Sequence, residues 1–171
     1  MRKLSLIIIL LVCYNWAFAQ KAVTTGQLQF SLPLNTQKLT ERQFIKFAKA
    51  RFNDSVLYGT APHLYRSGNV LFSYRKLKTQ PKLQKPIESR EKIVVNVLMS
   101  DKLNVLERDT LFYINNIKVA VLEYHKNDVG ELRFVTDWGK DGSALIGFVQ
   151  YKVSDTALAR NYFDKIVQSI K

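Results

Sequence analysis

Between Asn104 and Val153 four apolar, β-prone runs follow one another with only short turns between them. This feature most narrows what the chain can become. The runs are Asn104–Ile114, Ile117–His125, Glu131–Trp138 and Ser143–Val153. A parallel crossover needs a dozen or more residues, so links this short force antiparallel neighbours and predict a meander. Asn115-Asn116 can make a tight hairpin turn, because Asn tolerates positive φ better than most residues. Asp141-Gly142 turns the chain again. Leu132, Phe134 and Thr136 alternate onto one side of the third run.

The flanking segments add helices. Gly26 to Leu32 alternates apolar and polar, which predicts a first strand ended by Pro33. Thr40 and Gln43 have capping-box spacing, and Phe44, Ile45, Phe47, Ala48 and Phe52 recur at helical spacing. A helix over 41–52, stopped by Asn53-Asp54, follows. Ser67-Gly68-Asn69 reads as a turn into a strand over 70–78, and Thr79 to Pro86, with two prolines, reads as a loop. Residues 88–100 carry both signals: Ile93/Val97 and Val94/Leu98 pair at helical spacing, while Ile93-Val94-Val95 is β-branched. The helical reading is preferred. Ser154 is expected to cap a last helix whose stripe is Leu158, Tyr162, Ile166 and Ile170, widened by Phe163 and Val167. The fold class expected is α+β, an antiparallel meander sheet flanked by helices and closed by the C-terminal one.

The beginning of the chain speaks to compartment. Arg2 and Lys3 precede an apolar run, Leu4 to Val12, broken by Ser5, and Ala17-Phe18-Ala19 follows. That order is the pattern of a secretory signal peptide, predicting cleavage after Ala19 and a single domain over 20–171. The apolar run falls short of the about 20 residues that span a bilayer. Lipidation of Cys13 would need a small residue before it, where Val12 stands. Cys13 therefore reads as part of the leader, and the mature chain as thiol-free, periplasmic or secreted, monomeric and without a transmembrane segment.

Charge is distributed unevenly. Of 26 lysines and arginines, 24 remain after the leader, against 14 carboxylates. From Gln20 to Lys92 fourteen basic residues face four acidic ones; from Ile93 onward ten face ten. Arg75, Lys76, Lys78, Lys82, Lys85, Arg90 and Lys92 form the densest stretch and are the candidate patch for an anionic partner, either an envelope component or an acidic protein. The competing reading is a solvated, solubilising surface. Nucleic acid is not expected, since the compartment is wrong and no arginine cluster is interleaved with stacking aromatics.

"LQFSLPLN", a helix, "VLERDTLFYINNIKVAVLEYH" and "ALIGFVQYKVSDTALARNYFDKIVQSIK" together resemble the PsbP-like family of exported α/β/α-sandwich domains. The resemblance covers most of the mature chain. It implies a central antiparallel sheet with helices on both faces and a non-enzymatic accessory or binding role. Members often place Asn-Gly at the hairpin, where this chain has Asn115-Asn116. The same order of elements is also similar to lipid-binding helix-grip domains, which implies an apolar cavity between sheet and C-terminal helix.

Catalytic signals are sparse. His125 lies two residues after Glu123, with Asp128 as the nearest third metal ligand; His63 is expected in a loop; Asp137 and Asp141 flank "WGK" without calcium-loop spacing. Each is read as structural. No phosphate loop, G-x-S-x-G elbow, zincin helix or paired-cysteine motif occurs. No catalytic residue, metal or cofactor is assigned. The expected function is an exported, non-enzymatic accessory or binding domain of the cell envelope. The alternatives are a carrier of a small apolar ligand and, behind it, a small hydrolase-like enzyme.

Overall fold

The computed structural model describes residues 21–25, 28–52 and 61–171. The leader, Cys13 and the stop at Asn53-Asp54 lie outside the described residues. In chain order the elements are β1 (Lys21–Thr25), β2 (Leu28–Leu32), β3 (Gln37–Lys38), α1 (Glu41–Phe52), β4 (His63–Ser67), β5 (Val70–Lys78), α2 (Ile87–Met99), β6 (Asn104–Ile114), β7 (Ile117–Lys126), β8 (Val129–Thr136), β9 (Ser143–Lys152) and α3 (Thr156–Gln168). Seven strands form one antiparallel sheet in the order β3-β4-β5-β9-β8-β7-β6. The expected meander is its β6-β7-β8-β9 half. Both central residues of the β6–β7 turn have positive φ, Asn115 at 49° and Asn116 at 64°, as the hairpin requires.

The two sheet faces are covered differently. Alternation sends Leu132, Phe134, Leu145, Val149, Phe72 and Tyr74 to one face, where α3 and the β1-β2 hairpin pack on them. On the other face α1 sets Phe44, Ala48 and Phe52 against Leu71 and Val129, and α2 sets Ile87 against Ala120, Val135 and Ile146. The result is an α/β/α sandwich. Burying each large apolar side chain contributes roughly 1.5–3 kcal/mol.

Local signals explain the helices. At α1 the Gln43 amide donates to Thr40 Oγ1 at 3.3 Å, and the Thr40 amide donates to Gln43 Oε1 at 2.9 Å, the reciprocal capping box. Residues 87–99 are helical, so side-chain spacing prevails over the β-branched triplet. Ser154 does not cap α3. A 3₁₀ turn over Val153–Asp155 precedes that helix, and Thr156 Oγ1 donates to the Val153 carbonyl instead. Leu158 is 48% exposed, while Ala159, Tyr162, Phe163, Ile166 and Val167 are buried. The rest of the expected stripe is buried, so only its first position differs, with Ala159 inward in place of Leu158.

Three strands were not legible in the sequence pattern. β1 pairs with β2, β3 pairs with β4, and His63 to Ser67 forms β4 rather than a loop. The C-terminal residue also joins this layer: Gln29 and Lys171 exchange two backbone hydrogen bonds at 2.9 Å.

The space under α3 that a helix-grip carrier would keep open is filled. Phe134 and Phe163 pack edge to face with ring centres 5.8 Å apart, and Phe72, Leu145, Val149 and Ile166 fill the interval with almost no exposure. The apolar-carrier alternative loses its cavity there.

Candidate binding site at the turn end of the sheet

One end of the sheet gathers several connections. β5, β6 and β8 finish there, β7 and β9 start there, and α2 begins beside them. Backbone bonds tie the connections together: Thr79 N–H to the Gly142 carbonyl at 3.1 Å, Asp137 N–H to the Lys118 carbonyl at 2.8 Å, and Gly139 N–H to the Ser143 carbonyl at 2.7 Å. Gly142 has φ +71°, and a Cβ there would lie 2.7 Å from the Thr79 carbonyl oxygen, so this turn needs glycine. Asp141 accepts hydrogen bonds from the Ser143 amide and hydroxyl, which holds the turn from inside.

A groove of about 670 Å³ opens at this end between the β6–β7 hairpin and the β8–β9 turn. Tyr113, Asn115, Asn116, Lys118, Trp138 and Lys140 line it, with Glu88 and Asp137 at its α2 side. The Trp138 wall is held from two sides. Its indole N–H donates to the Lys85 carbonyl at 3.0 Å, and the Arg90 guanidinium lies 4.6 Å from its ring centre. Arg90 in turn donates to the Thr136 carbonyl at 3.1 Å and sits 3.6 Å from Asp137. Burial pulls the Arg90 pKa below the ordinary guanidinium value, and Asp137 opposes that shift.

Tyr113, by contrast, is 69% exposed. Lys118 reaches its ring at 5.8 Å and pairs with Glu88. That hydrogen bond raises the Lys118 pKa and lowers the Glu88 pKa. The groove therefore offers one fixed aromatic wall, one free aromatic face, side-chain amides and charges of both signs. No serine, cysteine or histidine lines it.

The basic residues singled out from the sequence are divided by the fold. Lys78, Lys82 and Lys85 are exposed on the strand end and link beside the groove. Lys76 pairs with Asp141 at 3.5 Å. Arg75 points to the opposite sheet face from Lys76, towards Arg133, whose pKa it helps to lower. Arg90 is half-buried behind Trp138, and Lys92 is exposed further along α2. Tyr113, Lys118, Trp138 and Lys140 were missed. The one sequence signal for them was a tryptophan placed in a turn, where burial alone does not call for it.

The other candidates take structural partners. His63 stacks on Tyr74 with ring centres 4.4 Å apart, and burial with the Lys38 charge lowers its pKa. His125 meets Glu107 at 3.3 Å, Asp128 meets Lys152 at 2.9 Å, and Glu123 turns inward to Tyr151 and Arg160. Asp137 is engaged by Trp138 N–H and Arg90. Among the described residues no three His, Cys, Asp or Glu side chains gather as a metal site. On the α1–α2 face the buried Glu131 accepts from the Tyr124 hydroxyl at 2.8 Å and from Gln150 Nε2 at 3.1 Å.

A seven-stranded antiparallel sheet between a C-terminal helix and two further helices defines an α+β sandwich of the PsbP-like type. Solved structures share it. Cyanobacterial PsbP (CyanoP) from Synechocystis sp. PCC 6803 matches 90% of this chain and 92% of its own, with a TM-score of 0.55 and 12% identity. LpqN, involved in cell envelope biogenesis of Mycobacterium tuberculosis, matches 90% of each chain with a TM-score of 0.56 and 8% identity. A Bacteroides thetaiotaomicron protein matches 89% of this chain and 48% of its own, with a TM-score of 0.51 and 9% identity. No family model matches the chain, and no curated protein is similar to it in sequence. The likeness is one of fold. Among the described residues no helix is long and apolar enough to cross a membrane.

Proposed function

We propose that this chain is an exported, non-enzymatic accessory domain of the cell envelope that binds a protein partner in the groove at the turn end of its sheet. The groove is the observation that carries this reading. A rigid Trp138, an exposed Tyr113 and paired charges are the surface chemistry of protein recognition, where aromatic anchors contribute most. Lys78, Lys82 and Lys85 at its margin favour an acidic partner and faster encounter with it. The leader-like Arg2-Lys3, apolar run and Ala17-Phe18-Ala19 support export.

The test is co-purification of the tagged protein from its own envelope, beside Tyr113→Ala and Lys140→Glu. Neither side chain is buried, so both variants should fold. The wild type should retain a partner that both variants lose. A partner held equally by all three would reject the groove. An N-terminus still carrying an acylated Cys13 would reject the cleaved-leader route.

A further inference from the structure

A second surface lies at the other edge of the sheet. Among the described residues between Leu28 and Arg66, six lysines and arginines face one carboxylate, Glu41. Arg51 is neutralised locally, by Asp155 at 2.6 Å. The helix α1 presents three of these cations outward. It buries Phe44, Ala48 and Phe52, so Arg42, Lys46 and Lys49, spaced four and seven residues apart, project from its outward side. Arg42 and Lys46 have no carboxylate partner among the described residues. Lys38 on β3 and Arg66 on β4 continue the same charge along the sheet edge.

The cations alternate with apolar surface. Lys46 stands between two shallow grooves. One, of about 340 Å³, contains Leu39 and Phe47, with the Arg66 guanidinium 4.6 Å from the Phe47 ring centre. The other, of about 540 Å³, contains Ile45 between Arg42 and Lys49. A protein surface designed only for solubility would intersperse both signs of charge. Here Glu41 is the one carboxylate among the cations around half-buried Ile45 and Phe47.

We infer that the outward side of α1, with the β3–β4 edge, docks on a bilayer surface bearing anionic phospholipids. Headgroup phosphates would meet Arg42, Lys46 and Lys38, and the glycerol region would meet Ile45 and Phe47. Lysine and arginine stems suit this boundary because their apolar length and charged tips match its polarity gradient. The turn-end groove lies towards the β6–β7 edge, so a docked molecule keeps it open to a partner.

The test is co-sedimentation of the leaderless chain with phosphatidylcholine vesicles, with and without phosphatidylglycerol. Retention should need the anionic lipid and fall as salt rises. Arg42→Gln with Lys46→Gln should weaken partitioning about 30-fold, as two cations at about 1 kcal/mol each predict. Lys78→Gln with Lys82→Gln and Lys85→Gln should change it less than about threefold, because those side chains sit at the turn end. Wild-type partitioning by the α1 double variant, when its circular dichroism is unchanged, would overturn the proposal. So would retention on polyglutamate but not on vesicles, or displacement by inorganic phosphate at the vesicles' phosphate concentration.

Discussion

Phe134 and Gly147 sit opposite each other on β8 and β9, so close that a Cβ at 147 would lie 2.3 Å from the Phe134 ring. The ring cannot retreat, since it is fully buried and packs edge on Phe163. Gly147→Ala should therefore destabilise by about 1–3 kcal/mol, the usual cost of overpacking. Urea denaturation measures it. Unchanged stability would mean that the interval under α3 has room after all, and would revive the carrier reading.

The Glu123 side chain is buried to 2% exposure, yet one charged group reaches it. Arg160 Nε donates to both its oxygens, at 2.9 and 3.0 Å, and the Tyr151 hydroxyl donates at 2.8 Å. Half of the Arg160 side chain is exposed, which weakens the ion pair by solvent screening. Arg160→Ala should still cost roughly 1–3 kcal/mol, because a buried acceptor loses two bonds. Adding Glu123→Gln should recover part of the loss, as a neutral amide tolerates burial better. A double-mutant cycle with no coupling would contradict this assignment.

The β6–β7 turn holds two non-glycine residues at positive φ. Asn116→Gly should raise stability by up to about 1 kcal/mol by removing the left-handed penalty. Asn116→Val should lower it by about 1–2 kcal/mol. Asn115 is less replaceable, because its side-chain amide donates to the Ile170 carbonyl at 2.8 Å and anchors the C-terminus. Thermal midpoints of these variants check the ranking.

Burial raises the Glu131 pKa above 4.5, against the pull of its bonds from Tyr124 and Gln150. A group raised in the folded state contributes stability that is full below its unfolded value and is lost as pH rises through the folded one. Burial raises Glu91 in the same direction. The surface acids Asp101, Asp128 and Asp141 are lowered by their hydrogen bonds and act in the opposite window, below 3.8. Urea midpoints of the wild type should thus decline above pH 4.5 more steeply than those of Glu131→Gln. Parallel curves would place the titrating group elsewhere.

Much of the fold was readable because its causes are local. The capping box needs only Thr40 and Gln43, three residues apart. The meander needs alternation and short links, and the Asn115-Asn116 turn needs two residues that accept positive φ. These interactions act within a few residues and survive in any context. The resemblance to PsbP-like domains drew on the same pattern and carried the layer order with it. The bound on chemistry was legible too, since a chain whose lone cysteine is Cys13 has no thiol site beyond it.

Only the tertiary structure decided the rest. β3 and β4 are strands because they pair with each other and with β5; the short run His63–Ser67 alone does not alternate strongly enough to say so. Contact against the core chose Ala159 over Leu158. The candidate patch was split because Arg75 and Lys76, neighbours in sequence, point to opposite faces of β5. Tyr113, Lys118 and Trp138, spread over 26 positions, share a groove because three turns meet at one end of the sheet. Local propensity is a property of neighbouring residues, whereas a surface is made by residues that folding brings together from a distance.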